Sequence, residues 1–318
     1  MLYDAFNGDA DGICALLQLR LSEPAESVLV TGVKRDIGLL DRVPAQAGDR
    51  VTVLDIAVER NRDALDALLL RGVQVRWFDH HRPGELPVHP RFEPHIDLAA
   101  DLCTSLIVDR YLHGRQRIWA VVAAFGDGMP DSAQRAAAAL GLDEARLARL
   151  RELGECVNYN AYGETVADLH FPPTELYRRL HAYREPFAFI HEAPEFQTLK
   201  HGYAEDMAQA RGLVPFTVKP GGAVYLLPDA DWARRVSGAF ANALAQAHPD
   251  RAHALIGLAS HGYYVVSVRS PLSNRQGADA LCRQFESGGG RAGAAGINRL
   301  PEAELERFIQ AFYAAFAA

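Results

Sequence analysis

The sequence predicts an α/β fold, with a parallel sheet and flanking helices in the N-terminal part and a smaller α/β domain at the C-terminal end. In the first eighty residues, four short Val-rich apolar runs alternate with segments of helical spacing. The middle of the chain is rich in Ala, Leu and Arg, and the last hundred residues return to paired apolar runs. The length of 318 residues suits two domains better than one.

The four apolar runs of the N-terminal part are predicted to be buried strands: "LYDAF" (2–6), "VLVTGV" (28–33), "VTVLDI" (51–56) and "VQVRWF" (73–78). The segments 13–21 and 61–72 between them have helical spacing, and Gly72 is suited to a helix C-cap. Strand, helix and strand at this spacing predict parallel strands joined by right-handed crossovers.

The middle of the chain is predicted to be helical over residues 131–157, with a break near Gly141. Residues 160–220 carry many Pro, Tyr and Phe residues and give mixed signals. We expect a linker or connecting helices there.

The C-terminal part begins with two predicted strands, 253–259 and 263–269, which flank "SHG" and are expected to be joined by a short turn. A helix is predicted over 277–286, followed by the glycine-rich loop "SGGGRAGAAG" (287–296). The chain closes with a predicted helix over 301–316 that has Pro at its first position.

Composition narrows the class of protein. A hydrophobic content of 49% and a charged content of 23% are typical of a soluble globular chain. The net charge of -7 argues against a protein that coats nucleic acid through a broad basic surface. The N-terminus lacks the basic and apolar regions of a signal peptide, and no apolar run approaches the ~18 residues of a membrane span. The four cysteines form no CxxC pair, so neither a disulfide framework nor a zinc knuckle is expected, and the cytoplasm is the expected location.

Carboxylate and imidazole side chains follow four of the apolar runs. They are Asp9 and Asp11, Asp55, the tripeptide Asp79, His80 and His81, and Asp127 after "IWAVVAAFG". Because function gathers at the carboxyl ends of parallel strands, we expect these side chains to converge at one edge of the sheet. Converging carboxylates repel one another, and a pair of Mn²⁺ or Mg²⁺ ions would relieve that repulsion. The pattern therefore predicts a dinuclear centre whose bridging hydroxide attacks a phosphate.

The same residues resemble the motifs of the DHH phosphoesterase superfamily. The four motifs occur in order as "NGDADG" (7–12), "VLDIA" (53–57), "FDHH" (78–81) and "GDGMP" (126–130). In the C-terminal part, "VSVRS" (266–270) and the glycine-rich loop resemble the substrate-holding elements of the companion DHHA1 domain. The middle of the chain is unmatched.

The resemblance implies a DHH catalytic domain over residues 1–185, a connecting segment over 186–220 and a DHHA1 substrate-binding domain over 221–318. It implies that His81 faces the scissile phosphate and that Asp79 orients an imidazole. The implied metal ligands, with Asp55 as the bridge between two Mn²⁺ (or Mg²⁺) ions, are Asp9, Asp11, Asp55, His80 and Asp127. The implied substrate-binding residues of the C-terminal domain are Arg269, Gly288, Gly289 and Gly290.

Two residues depart from the family pattern. Asn7 stands where the family often has His or Asp, and it would ligate a metal through its carbonyl oxygen without bringing a charge. Arg291 stands where the glycine-rich loop usually continues with His, and it would still pair with phosphate. Both departures leave the reaction class in place and the substrate open.

The expected substrate is a short oligonucleotide, a linear dinucleotide or a phosphorylated nucleotide, as for the nanoRNase-like and exonuclease-like members of the superfamily. Binding of long duplexes is not expected, because it depends on many phosphate contacts. Two alternatives stay open: a phosphatase of polyphosphate or pyrophosphate, and a degenerate nucleotide-binding protein, which Asn7 and Arg291 would explain. The oligomeric state is also open, a homodimer included.

Each predicted residue also has a purely structural explanation. Asp9, Asp11 and Asp55 are suited to caps or turns, and "GDG" around Asp127 is a good turn. Asp131 is a nearby rival to Asp127, but it is better suited to start the next helix. Arg269 could also be an edge-strand arginine, and the glycines could serve tight packing.

Overall fold

The computed structural model describes residues 1–259 and 262–317. The chain divides into two compact units, Met1–Lys200 and His201–Ala318. The division falls within one helix, α9 (Pro194–Arg211). The domain scheme with a connecting segment at 186–220 stays a prediction.

The first unit is built on a five-stranded sheet in the order β2-β1-β3-β4-β5, in which all neighbouring strands are parallel. Its strands are β1 (Leu2–Phe6), β2 (Val28–Val30), β3 (Arg50–Leu54), β4 (Gln74–Asp79) and β5 (Phe92–Ile96). The predicted parallel sheet is confirmed, although β2 ends three residues earlier than expected. The edge strand β5 was not predicted, because "FEPHI" mixes charge, Pro and His and has no apolar run.

Helices cover both faces of this sheet. They are α1 (Ala10–Ser22), α2 (Arg62–Leu70), α3 (Thr104–Tyr111), α4 (Arg117–Gly126), α5 (Pro130–Ala137), α6 (Glu144–Tyr159), α7 (Pro173–His181), α8 (Pro186–Glu192) and the first part of α9. Phe6 and Phe78 belong to one buried cluster, whereas Tyr3 and Trp77 belong to the other. Side chains alternate between the faces of a strand, so a parallel sheet buried on both faces has two cores.

Two details of the first unit bear on the predictions. The apolar run before Asp127 forms helix α4. The prediction that Asp127 lies at the carboxyl end of a strand was therefore wrong. From Trp119 to Gly126 every residue of α4 is buried, and such a helix has the continuous apolar run of a buried strand. Gly72 and Gly141 adopt positive φ angles of 87° and 61°, as expected for a residue that follows a helix and for the break in the helical region.

The second unit has a mixed six-stranded sheet in the order β10-β11-β9-β8-β7-β6. Its strands are β6 (Thr217–Lys219), β7 (Gly222–Leu227), β8 (Ala252–Leu258), β9 (Tyr263–Arg269), β10 (Gly288–Arg291) and β11 (Ala294–Pro301). Its helices are α10 (Asp231–Ala247), α11 (Ala278–Cys282) and α12 (Leu305–Ala315). The α/β fold class is thus confirmed for both units.

The local predictions for the second unit hold in part. Strands β8 and β9 are antiparallel neighbours as expected, and Ser260 and His261 of the predicted turn lie outside the described residues. The predicted glycine-rich loop is instead the antiparallel hairpin of β10 and β11. Helix α11 is shorter than predicted, and α12 begins at Leu305 because Pro301 is the last residue of β11.

Within the described part of the chain, none of the helices combines the length and the apolar character that crossing a bilayer requires.

Candidate metal centre

Asp9 and Asp11 lie where the chain passes from strand β1 into helix α1. Asp9 is the N-cap of α1, and its Oδ1 accepts hydrogen bonds from the backbone N–H of Asp11 at 3.0 Å and of Gly12 at 3.1 Å. Asp9 therefore does cap the helix, as its structural explanation required, and its Oδ2 is turned to Lys34. Capping and a role in the site use different oxygens of the same carboxylate.

Asp11 is held by the N-terminus of helix α3. The backbone N–H groups of Thr104 and Ser105 donate to its Oδ2 at 2.7 Å and its Oδ1 at 2.8 Å. Burial raises the pKa of Asp11, the charge of His80 acts against that rise, and Asp127 and Asp9 add to it. A helix N-terminus favours an anion at this point, so the fold fixes a buried carboxylate in one orientation.

Asp55 follows the last residue of strand β3 and has a left-handed backbone with φ of 59°. Its backbone N–H donates to Phe78 O at 3.0 Å, and the Thr104 hydroxyl donates to its Oδ1 at 3.0 Å. Burial raises the pKa of Asp55 well above its usual value, and the charges of Asp9 and Asp11 raise it further. Such a carboxylate favours a cation as a partner.

His80 and His81 follow Asp79, the last residue of strand β4. The His80 Nδ1–H donates to Leu102 O at 2.9 Å, so its Nε2 carries the lone pair, 3.5 Å from Asp55 Oδ1. The His81 Nδ1–H donates to the buried carboxylate of Asp79 at 2.7 Å, and the His81 side chain is 45% exposed. Asp79 is thus hydrogen-bonded to the imidazole of His81, and its role in orienting that ring for catalysis stays a prediction.

Two groups of ligand atoms come together in the described residues, and both contain His80. One group is Asp55, His80 and His81, and the other is Asp11, His80 and Asp127. Within each group the ligand atoms lie within 4.8 Å of one another. Carboxylate oxygens with imidazole nitrogen are a donor set that suits Mn²⁺ or Mg²⁺. The buried, mutually repelling acids and the orientation of His80 Nε2 therefore fit a divalent cation.

Sequence reasoning missed Lys34, whose side chain reaches this site from the loop after strand β2. Its Nζ forms an ion pair with Asp9 Oδ2, and its backbone N–H donates to Ala161 O at 2.9 Å. Burial favours the neutral amine, but the charges of Asp9, Tyr162, Asp127 and Asp55 outweigh burial and raise the pKa of Lys34 well above its usual value. Lys34 directly follows the predicted strand over residues 28–33, so the rule that located the acids would have located Lys34 too.

Asn7 lies beside Lys34. Its Oδ1 accepts from the backbone N–H of Asp9 at 3.2 Å, and its Nδ2 donates to the backbone O of Lys34 at 3.2 Å. Both ends of the amide thus contact the backbone of the segments that carry Asp9 and Lys34. A role for Asn7 as a metal ligand stays a prediction.

The residues predicted to bind substrate lie on the sheet of the second unit. Arg269 and Arg291 are both in register with Ala294 of β11, so the two arginines project from the same face. The Arg269 Nε donates to Asn242 Oδ1 at 2.7 Å, which fixes the guanidinium against α10. Among the described residues no heavy atom would lie within 4 Å of a Cβ at Gly289. Together these three residues form an open, cationic shelf.

The other two glycines of this hairpin have structural reasons. A Cβ at Gly288 would lie 1.7 Å from Cys282 O, and Gly290 has a φ of 141°. Tight packing and backbone conformation therefore require Gly288 and Gly290, whereas at Gly289 there is room for a side chain. Their roles in substrate binding stay predictions.

Comparison with solved structures identifies the fold. The chain is similar to exonuclease RecJ bound to manganese, with a TM-score of 0.65 and 20% identity over 99% of this chain and 90% of that chain. It is also similar to RecJ from Thermus thermophilus in complex with Mn²⁺, with a TM-score of 0.62 and 18% identity over 99% of this chain and 52% of that one. A third similar structure is PggH from Vibrio cholerae, a pGpG-specific phosphodiesterase, with a TM-score of 0.54 and 13% identity over 99% of each chain.

No family model matches the sequence, and no curated protein is significantly similar to it. At these identities the likeness to solved structures establishes the fold. The chain therefore has the RecJ fold, which confirms at the level of the fold its resemblance to the DHH/DHHA1 phosphoesterases.

Proposed function

We propose that this protein is a divalent-metal-dependent phosphoesterase of the DHH/DHHA1 family that hydrolyses short oligonucleotides, linear dinucleotides or phosphorylated nucleotides. The observation that carries the proposal is the convergence of His80 with Asp11, Asp55 and Asp127 in a chain with the RecJ fold. All four motifs contribute a residue to the same site, and no purely structural explanation of single residues accounts for that.

The residues of the candidate metal centre would have different roles, which depend on where each of them lies. A bound divalent cation would lower the pKa of a coordinated water and neutralise charge on a phosphate. Asp11, Asp55, Asp127 and His80 would hold that cation. His81, oriented by Asp79 and partly exposed, is placed to hold or donate a proton beside the phosphate. The Lys34 ammonium adds a fixed positive charge at Asp9.

Three observations support a small nucleotide substrate. The similar structures are an exonuclease and a pGpG-specific phosphodiesterase. The shelf of Arg269, Gly289 and Arg291 offers guanidinium groups to phosphates and has free space beside Gly289. The net charge of -7 disfavours long polyanions.

The test is release of phosphate and nucleotides in the presence of Mn²⁺. The substrates are pApA, a five-residue oligoribonucleotide, 3′-phosphoadenosine 5′-phosphate, a cyclic dinucleotide and polyphosphate. We expect turnover of at least one nucleotide, abolished by a chelator and reduced roughly 100-fold or more in Asp127→Asn, because that carboxylate holds the cation. Asp131→Asn is the matched control, since this exposed acid begins α5 only four residues away.

Other outcomes are equally informative. Release from polyphosphate alone would replace the proposal with the polyphosphatase alternative. Metal binding without turnover of any substrate would favour a degenerate nucleotide-binding protein. Equal losses of activity in Asp127→Asn and Asp131→Asn would contradict the assignment of Asp127.

A further inference from the structure

We propose that the Lys34 ammonium group takes the place of one of the two divalent cations expected from the sequence, so that the centre binds a single metal ion. The inference rests on the proposed function for the identity of the site, but it is tested by metal stoichiometry rather than by turnover. It assigns to Lys34 a role as a built-in cation of the active site.

The position of Lys34 is fixed by several contacts. Its Nζ pairs with Asp9 Oδ2, and the side chains of Lys34 and Asp9 are only 24% and 3% exposed. Nζ also donates to Asn158 Oδ1 at 3.4 Å and lies 5.6 Å from the ring centroid of Tyr162. A long, partly buried Lys held at its head group and its backbone is a fixed charge, unlike a solvated surface lysine.

The ligand groups lie around one imidazole and away from Asp9. Both groups identified among the described residues share His80, and Asp9 belongs to neither of them. The two oxygens of Asp9 already have partners, because Oδ1 accepts from two helix N–H groups and Oδ2 from Lys34. A metal cation bound at Asp9 Oδ2 would lie directly beside the Lys34 ammonium, which would repel it.

Asn7 also disfavours a second cation near Asp9. A second cation near Asp9 would need further anionic ligands, and Asn7 offers only a neutral amide. That amide contacts the backbone of Asp9 and of Lys34. The neutral amide of Asn7 and the ammonium of Lys34 thus lie at one place, and both make that place unfavourable for a second cation.

The charges support this division. One divalent cation and one ammonium bring three positive charges to four carboxylates: Asp9, Asp11, Asp55 and Asp127. A second divalent cation would be repelled by the ammonium across a short distance in a partly buried site. The ammonium instead offers donors and positive charge to a phosphate oxygen without having to be loaded.

The test is a titration of the metal-free full-length protein with Mn²⁺, followed by the electron paramagnetic resonance of free Mn²⁺ and by calorimetry. We expect one tight ion per chain in the wild type. The double variant Lys34→Met/Asn7→Asp, which removes the ammonium and adds a carboxylate, should bind a second ion at least roughly 100-fold more tightly than the wild type does. Lys34→Arg should keep one ion, because it keeps the charge.

Lys200→Met is the control for the loss of a lysine, since Lys200 is in the same unit and pairs with Glu152 at 2.6 Å. Its stoichiometry should equal that of the wild type. Circular dichroism of each variant shows whether it folds, and the wild-type titration tests the proposal even if the double variant does not fold.

The experiments distinguish failure of the role proposed for Lys34 from failure of the proposed phosphoesterase activity. Two ions of comparable affinity in the wild type would overturn the role of Lys34, even if the enzyme turns over nucleotides. One ion without turnover of any substrate would leave Lys34 as the built-in cation and overturn the phosphoesterase. A wild type that binds no Mn²⁺ would overturn both.

Discussion

At the scale of single residues, Thr104 connects two of the acids. Its backbone N–H holds Asp11, and its hydroxyl donates to Asp55. Thr104→Val keeps the shape and the N–H but removes the hydroxyl, so the orientation of Asp55 is lost. We expect Mn²⁺ affinity to fall roughly 10- to 100-fold, which is usual for the loss of a group that orients a ligand.

The control for this prediction is Ser132→Ala, which removes a hydroxyl that donates to Asp101 O at 2.8 Å. Calorimetric titration with Mn²⁺ measures both variants. Equal affinity in Thr104→Val and the wild type would show that Asp55 is positioned by other groups.

The ionised carboxylate of Asp55 would hold the cation, but it destabilises the metal-free fold. Its pKa is raised in the folded protein, so the ionised carboxylate destabilises the metal-free fold at neutral pH. Asn tolerates the left-handed backbone at φ of 59° and carries no charge. We therefore expect the free energy of unfolding of metal-free Asp55→Asn to exceed that of the wild type by about 1 kcal/mol or more.

The same variant should lose the stabilisation that Mn²⁺ gives the wild type, which thermal unfolding with and without Mn²⁺ would show. Asp55→Ala is the comparison, because Ala is strained at this φ and should recover less stability. A metal-free Asp55→Asn that is less stable than the wild type would mean that the carboxylate stabilises the fold.

The residues of the site differ in how far the sequence revealed them. Asp11, Asp55, His80 and Asp127 were predicted from motif and spacing, and the structure brings their segments together. Lys34 and Thr104 were not predicted, although Lys34 pairs with Asp9 and Thr104 contacts Asp11 and Asp55. Thr104 lies 93 positions from Asp11, so nothing in the local sequence indicates their contact.

At the scale of helices and strands, glycines set how closely α4 approaches its neighbours. A Cβ at Gly126 would lie 2.4 Å from Ala10 Cβ of α1 and 2.8 Å from Gly154 O of α6. Gly126→Ala would force α4 away just before Asp127. We expect a loss of roughly 1–3 kcal/mol in the free energy of unfolding and at least roughly tenfold weaker Mn²⁺ binding.

Gly38→Ala is the matched control, because among the described residues no heavy atom lies within 4 Å of its Cβ position. Urea unfolding should show a change within about 0.5 kcal/mol for it. If Gly126→Ala behaved like Gly38→Ala, close packing of α4 would not position Asp127.

His253 in strand β8 predicts a pH dependence for the second unit. It is fully buried, and neither ring nitrogen has a hydrogen-bond partner in the described part of the chain. Burial, with His248 and Arg251 adding to it, lowers its pKa to about 4. The unfolded chain binds the proton near pH 6.5, so stability present above that pH is lost as the pH falls towards 4.

The expected loss is up to roughly 3 kcal/mol between these two pH values. Urea unfolding followed by circular dichroism at about pH 7 and about pH 4.5 measures it, and His253→Leu should remove this part of the dependence. His191→Gln, which replaces an exposed histidine, should keep it. An identical pH dependence in His253→Leu and the wild type would contradict the assignment to His253.

The accuracy of the predicted elements depended on their environment. Strands β1, β3 and β4 are buried on both faces and were predicted within two residues at each end. Strand β5 lies at the edge of its sheet and has few apolar residues, whereas helix α4 is buried on all sides. Neither segment therefore shows a distinctive period of apolar residues along the sequence. The β10–β11 hairpin was predicted as a loop, because glycine pairs in a strand only when neighbouring strands supply the hydrogen bonds.

At the scale of the whole molecule, the net charge of -7 predicts a preference for short substrates. We expect kcat/KM for oligoribonucleotides of two, five and twenty residues to show no increase with length. Its logarithm should fall with the logarithm of salt concentration with a slope of roughly -1 to -2, since few phosphates are contacted. A twenty-base-pair duplex is the control and should not be cleaved. A kcat/KM that rises with oligonucleotide length and falls steeply with salt concentration would indicate an extended surface that contacts many phosphates of a long strand.

The α/β class, the parallel order of the first strands and the acids that follow those strands could all be predicted from the amino-acid sequence alone. These features follow from periodicity along the chain and from the rule that parallel strands end at one edge, so they depend only on near neighbours. Three features became visible only in the folded chain: the ion pair of Lys34 with Asp9, the hydrogen bonds from the N-terminus of α3 to Asp11, and the left-handed backbone of Asp55. Those contacts join distant segments, and their geometry is set by how the segments pack in three dimensions.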